Sequence, residues 1–154
     1  MTTPTLLQRL ASFAAAVTPA GLPAEVRASL RQRILDTVGL CLGARPLSTS
    51  DQALSVATAW GGPPTATVLG ASRLPAAGAA FANGVLAHSL DFDDTHLPSV
   101  LHPSASLVPA ALAVAEETGA SVANMLAALA VGYEVCVRTG MAAYDRTLGN
   151  SVFF

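Results

Sequence analysis

The sequence predicts an all-α protein, and three observations carry that prediction. Alanine, which has the highest helix propensity, accounts for 31 of the 154 residues. Apolar residues recur every three or four positions along several segments. Prolines and glycines, which begin and end helices, separate those segments. The one β-branched run, residues 65–69, predicts an extended segment or a short strand.

Two helices are predicted before residue 45. Thr3 and Pro4 are typical of a helix start, and the apolar stripe that follows them ends near Val17. The second helix is predicted to begin at Pro23 and to stop at Gly43. Its buried face is predicted from apolar residues that repeat four positions apart: Val26, Leu30, Ile34, Val38 and Leu42.

Four more helices are predicted after this pair, each beginning at a capping residue or a proline and stopping near a glycine or a proline. They run from Ser50 to Trp60, from Pro75 to about Leu90, from Ser104 or Ser106 to about Thr118, and from Ser121 to about Thr139, with Gly140 as the last stop.

Several predicted helices are apolar most of the way round, which is typical of helices buried on most sides. A chain of 154 residues has too much surface to bury six such helices completely. We therefore expect further packing partners, either more chain, another subunit, or both. The alternative is that alanine raises the apolar fraction without creating a hydrophobic surface that needs a partner.

Composition excludes several classes of function. The net charge of -2 provides no basic surface for nucleic acid. All eight cationic residues are arginines, which excludes a Schiff-base lysine and a P-loop lysine within this chain. Cys41 and Cys136 are isolated and predict two reduced, buried thiols. We see no membrane span or signal peptide in the sequence and expect a cytoplasmic protein without a membrane partner.

The segment 91–104 carries most of the candidate chemistry. Asp91, Asp93 and Asp94 are three of the ten acidic residues, and His96 and His102 are two of the three histidines. Unpaired charges repel one another and resist burial, so this concentration predicts a chemical site. Because the segment follows a predicted helix and contains two prolines, we expect it to be an irregular loop.

Several segments of the chain resemble the MmgE/PrpD family, which includes 2-methylcitrate dehydratase, cis-aconitate decarboxylase and an iminodisuccinate epimerase. The resemblance covers the chain from about residue 6 to residue 140. It implies a large helical domain, a smaller α+β lid domain, and an active site between the two. The segments that carry it most clearly are Ala87–His96, His102–Ser104, Pro109–Ala113 and Gly132–Val135.

The resemblance also implies substrates, partners and missing parts. Members of the family act on small di- and tricarboxylates, need no metal or organic cofactor, and usually dimerise through the helical domain. They are considerably longer than this chain, so residues 1–154 are expected to form a single, partial, N-terminal helical domain. A C-terminal lid domain or a partner chain is expected to supply a later histidine and lysines.

By position, Asp91, Thr95 and His102 match residues that the family places in its active site. Eliminating water from a hydroxy tricarboxylate needs a base for a carbon-bound proton and an acid for the leaving hydroxyl. His102 is the candidate acid or base because imidazole titrates near physiological pH, and Asp91 is the candidate carboxylate that orients it. The candidate substrate-binding residues are Thr95, His96, Ser104 and Asp94.

Other interpretations of these residues remain open. Asp93 and Asp94 are alternatively loop-capping residues, and His88 is alternatively a packing residue. Clustered aspartates and histidines also bind divalent metals, although the acidic spacing here differs from the DDxxD pattern of terpene synthases. Serines near a histidine suggest a hydrolase, but the glycines of a nucleophile elbow are absent from the sequence around them. A truncated, non-catalytic helical module is the alternative to a lyase, decarboxylase or epimerase.

Overall fold

The computed structural model describes residues 3–145 and 150–151, and most of this part of the chain is helical. The expected domain limits, 1–154, therefore extend beyond the described residues. The prediction of an all-α domain is confirmed. The α-helices are α1 (Leu6–Ala16), α2 (Ala24–Ala44), α3 (Ser48–Ala59), α4 (Ala76–His88), α5 (Pro103–Thr118) and α6 (Val122–Ala143). The strands are β1 (Ala66–Thr67), β2 (Arg73–Leu74), β3 (Tyr144–Asp145) and β4 (Asn150–Ser151), paired antiparallel as β1–β2 and β3–β4.

Two helices begin at residues other than those predicted. The side chain of Thr5, rather than Thr3, caps α1 and forms a reciprocal capping box with Gln8. Helix α3 begins at Ser48, earlier than the predicted start at Ser50, which is buried and bonded to the guanidinium of Arg45. The predicted N-cap at Ser50 is therefore wrong.

Helix ends differ from prediction at three places. Helix α2 continues through Gly43 to Ala44, so Gly43 is not its stop signal. Helix α4 stops at His88 instead of Leu90. Helix α6 continues through Gly140 to Ala143, so Gly140 is not a stop signal. A Cβ atom on Gly140 would lie 2.9 Å from the Cβ of Ser99, which is closer than real side chains approach. This glycine therefore permits close packing of α6 against the loop before α5.

The hairpin of β1 and β2 confirms the extended segment predicted at residues 65–69. Asn83 of α4, which is 2% exposed, anchors it from inside. Its side chain accepts a hydrogen bond from the Leu69 amide and donates one to the Thr67 carbonyl, both at 2.9 Å. A buried amide is stable only when such partners are present. Thus a polar residue in the middle of α4 holds the hairpin against the helices.

Small residues allow α4 to lie at the centre of the fold. It packs against α2, α3 and α5, and seven of its residues are buried, among them four alanines and Gly78. A Cβ atom on Gly78 would lie 3.4 Å from the Ala57 carbonyl of α3, and one on Gly84 would lie 3.3 Å from the Ala105 carbonyl of α5. These approaches fix where the end of α4, and hence the acidic loop, emerges.

The second part of the core joins α2, α5 and α6. Leu30, Val108, Leu126 and Leu129 are its central buried side chains. Burial of each such side chain contributes about 1.5–3 kcal/mol relative to exposure. This contact places α2 and α6 beside the N-terminal half of α5, where the candidate site lies.

Large apolar side chains nevertheless remain exposed on the described part of the chain, including Leu7, Leu35 and Leu97, each more than 70% exposed. This exposure agrees with the expectation that packing partners are missing. Helix α6 also differs from expectation, because its length and mean hydropathy of 1.3 satisfy the composition criteria for a membrane span. Core helices of soluble proteins satisfy the same criteria, so this is weak evidence for a membrane.

Candidate functional site

The acidic loop begins with a sharp change of chain direction at the end of α4. The amide of Asp91 donates to the carbonyl of His88 at 2.9 Å, and Asp91 adopts a left-handed conformation with φ of 54°. Aspartate tolerates this region better than most residues other than glycine. The turn leaves Asp91 exposed and carries Asp93 inward, where its carboxylate is fully buried.

The buried carboxylate of Asp93 faces two histidines. Nδ1 of His88 donates to Oδ1 of Asp93 at 2.9 Å and lies 3.2 Å from Oδ2. Nδ1 of His102 lies 3.5 Å from Oδ2 on the other side. The two imidazole rings meet edge to face, with their centroids 5.1 Å apart. Because a carboxylate only accepts hydrogen bonds, this arrangement favours the Nδ1–H tautomer of both rings.

His102 occupies the N-cap position of α5, where the irregular loop becomes a helix. Its Nδ1 atom is buried and has no hydrogen-bond partner within normal distance among the described residues, while about a third of its side chain is exposed. A buried imidazole nitrogen without a bond is unfavourable. Only a small movement of the ring would bring Nδ1 within hydrogen-bond distance of Asp93, and catalytic hydrogen bonds often tighten in this way when substrate binds.

Asp94 ties the loop to two helices directly, and to a third through its partners. Oδ2 forms an ion pair with Arg33 of α2, and Oδ1 accepts from the Ser104 amide in the first turn of α5 at 2.9 Å. The hydroxyl of Ser104 is bonded to that of Tyr133 on α6. The guanidinium of Arg33 lies over the Tyr133 ring, 5.2 Å from its centroid. Burial is the main cause that raises the pKa of Tyr133 above its usual value, and the nearby charge of Asp94 adds to it.

The structure brings together some predicted residues and separates others. Asp91 and His102 lie in one cluster with His88 and Asp93. Thr95 is exposed on the loop, and Nδ1 of His96 is bonded to the Ser99 hydroxyl at 2.8 Å. The predicted substrate-binding residues Asp94 and Ser104 already bond to other parts of the chain.

Two sequence interpretations are corrected by this geometry. The carboxylate nearest to the His102 ring nitrogen is that of Asp93, not that of Asp91, because the turn at Asp91 faces solvent. His88 is not a packing histidine, since about half of its side chain is exposed and its ring bonds to Asp93. The loop-capping role considered for Asp94 is confirmed by its bond to the Ser104 amide.

Sequence reasoning included Asp93 in the acidic segment without giving it a role beside His102, and it did not single out Arg33 or Tyr133 as parts of this site. The spacing of Asp93 could have indicated its contact with His88, because it lies five residues after His88, the last residue of α4. Arg33 carried no signal, since 61 residues separate it from Asp94. The guanidinium of Arg33 supplies a positive charge beside the acidic loop that the loop's own sequence does not contain.

A groove of about 970 Å³ lies beside this site rather than over it. It is lined by residues of α1, α2 and α6, including Arg33, Tyr133 and Glu134. Its lining includes none of the four clustered residues. The groove is therefore a separate, largely apolar feature, and His88 and Asp91 of the histidine–aspartate cluster are exposed outside it.

Comparisons with known proteins identify the family of this chain. A family model described as the MmgE/PrpD N-terminal domain matches residues 8–154. Cis-aconitate decarboxylase of Homo sapiens is 37% identical over 122 residues, covering 68% of this chain and 23% of that enzyme. The Mus musculus cis-aconitate decarboxylase is 42% identical over 82 residues, covering 51% of this chain and 15% of that enzyme. The matches span less than a quarter of the length of these relatives. The chain belongs to the MmgE/PrpD family and carries its N-terminal domain.

Proposed function

We propose that this chain contributes the acid/base part of a lyase site for small di- and tricarboxylates. The observation that carries the proposal is the contact of His102 with the buried Asp93 carboxylate at the start of α5. Membership of the MmgE/PrpD family and the similarity to two cis-aconitate decarboxylases support the same reaction class.

His102 is the proposed proton-transfer group. Loss of water requires that a base removes a carbon-bound proton while an acid protonates the departing hydroxyl. Loss of carbon dioxide breaks a carbon–carbon bond, leaves its electron pair on the substrate, and requires an acid to protonate that carbon. One imidazole that is partly exposed to substrate serves either reaction, and also the proton exchange of an epimerase. We put 2-methylcitrate dehydratase-like elimination first and keep decarboxylation and epimerisation as alternatives.

Asp93 is the proposed positioning residue for His102. A carboxylate that accepts from Nδ1–H leaves Nε2 of the same ring free for proton transfer and stabilises the charged imidazolium form. Asp91 is exposed beside this pair and is therefore available to contact the substrate or to take part in the proton transfer. Thr95 and His96 remain candidates for substrate binding because both lie on the same loop.

The anionic substrate class requires cations that the cluster does not contain. Arg33, the cation that contacts the acidic loop, is already paired with Asp94. We therefore propose that further chain or a partner, as the resemblance implies, adds positive charge beside the cluster. Homodimerisation through the helices and a cytoplasmic location belong to the same proposal.

A non-catalytic helical module is the second candidate. The exposed Leu7, Leu35 and Leu97 support it, because they suit a chain that packs against another polypeptide. In this case the acidic loop would be structural, with Asp94 as its principal contact.

Thermal unfolding followed by circular dichroism tests the proposal. The purified chain is melted with and without cis-aconitate or 2-methylcitrate, and turnover of each acid is assayed in parallel. A ligand that binds only the folded chain raises Tm. We expect such a rise, its loss in His102→Ala, and its retention in the surface variant Glu25→Gln. A Tm that ignores both acids, together with no turnover, would contradict the proposal and favour the non-catalytic module.

A further inference from the structure

Two imidazoles contact the buried carboxylate of Asp93, whereas the proposed function uses only one of them. Nδ1 of His88 donates to Oδ1 of Asp93 at 2.9 Å, and Nδ1 of His102 lies 3.5 Å from Oδ2. About half of the His88 side chain is exposed, so the ring is accessible to a substrate. We propose that His88 is a second catalytic residue, which protonates the leaving hydroxyl while His102 removes the carbon-bound proton. This inference rests on the proposed function and extends it.

Elimination of water needs two groups in different protonation states. One must be neutral to take the proton from carbon, and the other must carry a proton to give to the hydroxyl. A single imidazole meets only one of these requirements at a time. The ring centroids of His88 and His102 are 5.1 Å apart, which is close enough for one small substrate to contact both. Because Nδ1 of each ring faces Asp93, Nε2 is the nitrogen of each ring that is left for the substrate.

The contacts with Asp93 indicate which ring donates and which accepts. His88 makes the shorter contact and is the more exposed ring, and a hydrogen bond to a carboxylate and access to water both stabilise an imidazolium. His102 is less exposed, and its buried Nδ1 lies beyond normal hydrogen-bond distance of Asp93. Burial without a full hydrogen bond suits a neutral ring. The geometry therefore assigns the acid role to His88 and the base role to His102.

The proton transfers balance within this pair. The electron pair of the breaking C–H bond forms the carbon–carbon double bond, the C–O bond breaks, and the hydroxyl leaves as water with the proton of His88. His102 gains a proton as His88 loses one, so Asp93 faces one imidazolium before and after the step. Asp91 is exposed, and water screens its charge. Both rings are partly exposed, so exchange with solvent restores their starting states.

Dependence on the leaving group tests this assignment on the full 154-residue chain. Elimination is measured with the chain in excess over 2-methylcitrate, so that slow turnover is detected, and then over the analogue that carries chloride in place of the leaving hydroxyl. Chloride leaves without a proton, so the analogue needs the base but not the acid. In His88→Asn the side-chain amide still offers an N–H to Asp93 but cannot protonate a leaving group.

We expect His88→Asn to slow elimination of water by about 10²–10⁴-fold and to leave elimination of chloride nearly unchanged. His88→Gln should behave in the same way. His102→Asn is the matched comparison and should slow both eliminations, because both need the base. Far-UV circular dichroism verifies that each variant is folded.

The outcomes separate this inference from the function on which it rests. A wild-type chain that does not eliminate water from 2-methylcitrate would contradict the proposed elimination and the role of His88 with it. If the wild-type chain eliminates water, an unchanged rate in His88→Asn overturns the role of His88 alone. An equal loss with both leaving groups also overturns it, because it would mean that His88 only supports the structure of the cluster.

Discussion

Arg33 and Asp94 form an ion pair that connects the middle of α2 to the acidic loop, across 61 residues of sequence. The same carboxylate accepts from the Ser104 amide, so one side chain joins α2, the loop and the first turn of α5. His102 lies at the N-cap of α5, two residues before Ser104. The orientation of the candidate acid/base group therefore depends on a contact that is itself outside the histidine–aspartate cluster.

A pair of substitutions at Asp94 distinguishes its two contacts, the bond to the Ser104 amide and the ion pair with Arg33. Asp94→Ala removes the acceptor for the Ser104 amide and the partner of Arg33. Loss of a helix cap costs about 1 kcal/mol, and a partly exposed ion pair contributes less than about 1 kcal/mol. We expect a loss of about 1–2 kcal/mol in the free energy of unfolding, measured by urea denaturation.

Asp94→Asn is the matched comparison, because its amide oxygen still accepts from Ser104 while the charge is lost. It should cost less than about 1 kcal/mol, and added salt should reduce the difference from wild type. An Asp94→Asn variant as unstable as Asp94→Ala would mean that the ion pair, rather than the cap, is the important contact.

Two isosteric substitutions decide which carboxylate orients His102. Asp93→Asn should change the tautomer of the His102 ring, because an amide offers a single oxygen to two Nδ1–H groups. Asp91→Asn should leave the tautomer unchanged. Nitrogen chemical shifts of the imidazoles, measured by NMR, report the tautomer directly, and the chain contains only three histidines to assign.

In any preparation that turns over substrate, Asp93→Asn should lower the rate by roughly 10²–10⁴-fold, which is the usual contribution of general acid–base catalysis. Its stability must be measured as well, since the Asp93 carboxylate is fully buried. A His102 tautomer that changes only in Asp91→Asn would restore the original sequence interpretation.

The raised pKa of Tyr133 leads us to expect that the folded chain loses stability in alkaline solution. Its pKa is raised in the folded chain, chiefly by burial, so the folded state retains a proton that the unfolded state releases above about pH 10. The free energy of unfolding should therefore fall as pH rises through that value. The chain has no lysine, but the raised pKa of the Cys41 thiol contributes to the same alkaline loss, so the part due to Tyr133 must be read from a variant that lacks its hydroxyl.

Tyr133→Phe isolates the effect. At neutral pH the variant should be less stable by about 1–3 kcal/mol, because the Ser104 hydroxyl loses its partner. Between pH 9 and pH 11 the difference from wild type should shrink. A constant difference across that range would show that Tyr133 is not held in its neutral form.

Cys41 should be chemically inert in the folded chain. Burial raises the pKa of its thiol to about 12, and the thiol donates to the Asn83 carbonyl at 3.3 Å. The reactive form is the thiolate, which is scarce under these conditions. In Cys136→Ser, a disulfide reagent at pH 8 should modify no thiol until denaturant is added. Rapid labelling of the native variant would contradict the buried placement.

Gly140 should resist substitution although it lies inside a helix. Gly140→Ala gains up to about 1 kcal/mol of helix propensity but forces a Cβ atom against Ser99, and such overpacking costs about 1–3 kcal/mol. We expect a lower Tm. Gly39→Ala in α2 is the control, because no atom beyond the nearby backbone of its own helix lies within 4 Å of the added Cβ, and it should raise Tm. Equal effects of the two substitutions would disprove the close approach of α6 to the loop.

Local chemistry along the chain was enough to predict the helices and the place of the acidic loop. Proline and glycine punctuation located α2, α4, α5 and α6 to within a few residues, because helix starts and stops depend on neighbouring residues. Gly140 was misread because a glycine that permits close packing looks the same in sequence as one that ends a helix. Motif resemblance identified the family, which the comparison with residues 8–154 confirms.

The tertiary structure alone decided how the candidate site is arranged. Which of the clustered aspartates faces His102 depends on the left-handed turn at Asp91, which directs that residue outward and Asp93 inward. The pairing of Arg33 with Asp94 depends on how α2 packs against α5 and α6. Sequence determined which chemical groups lie near residue 91, whereas long-range packing determined which of them touch, because contacts across 61 residues have no local signature.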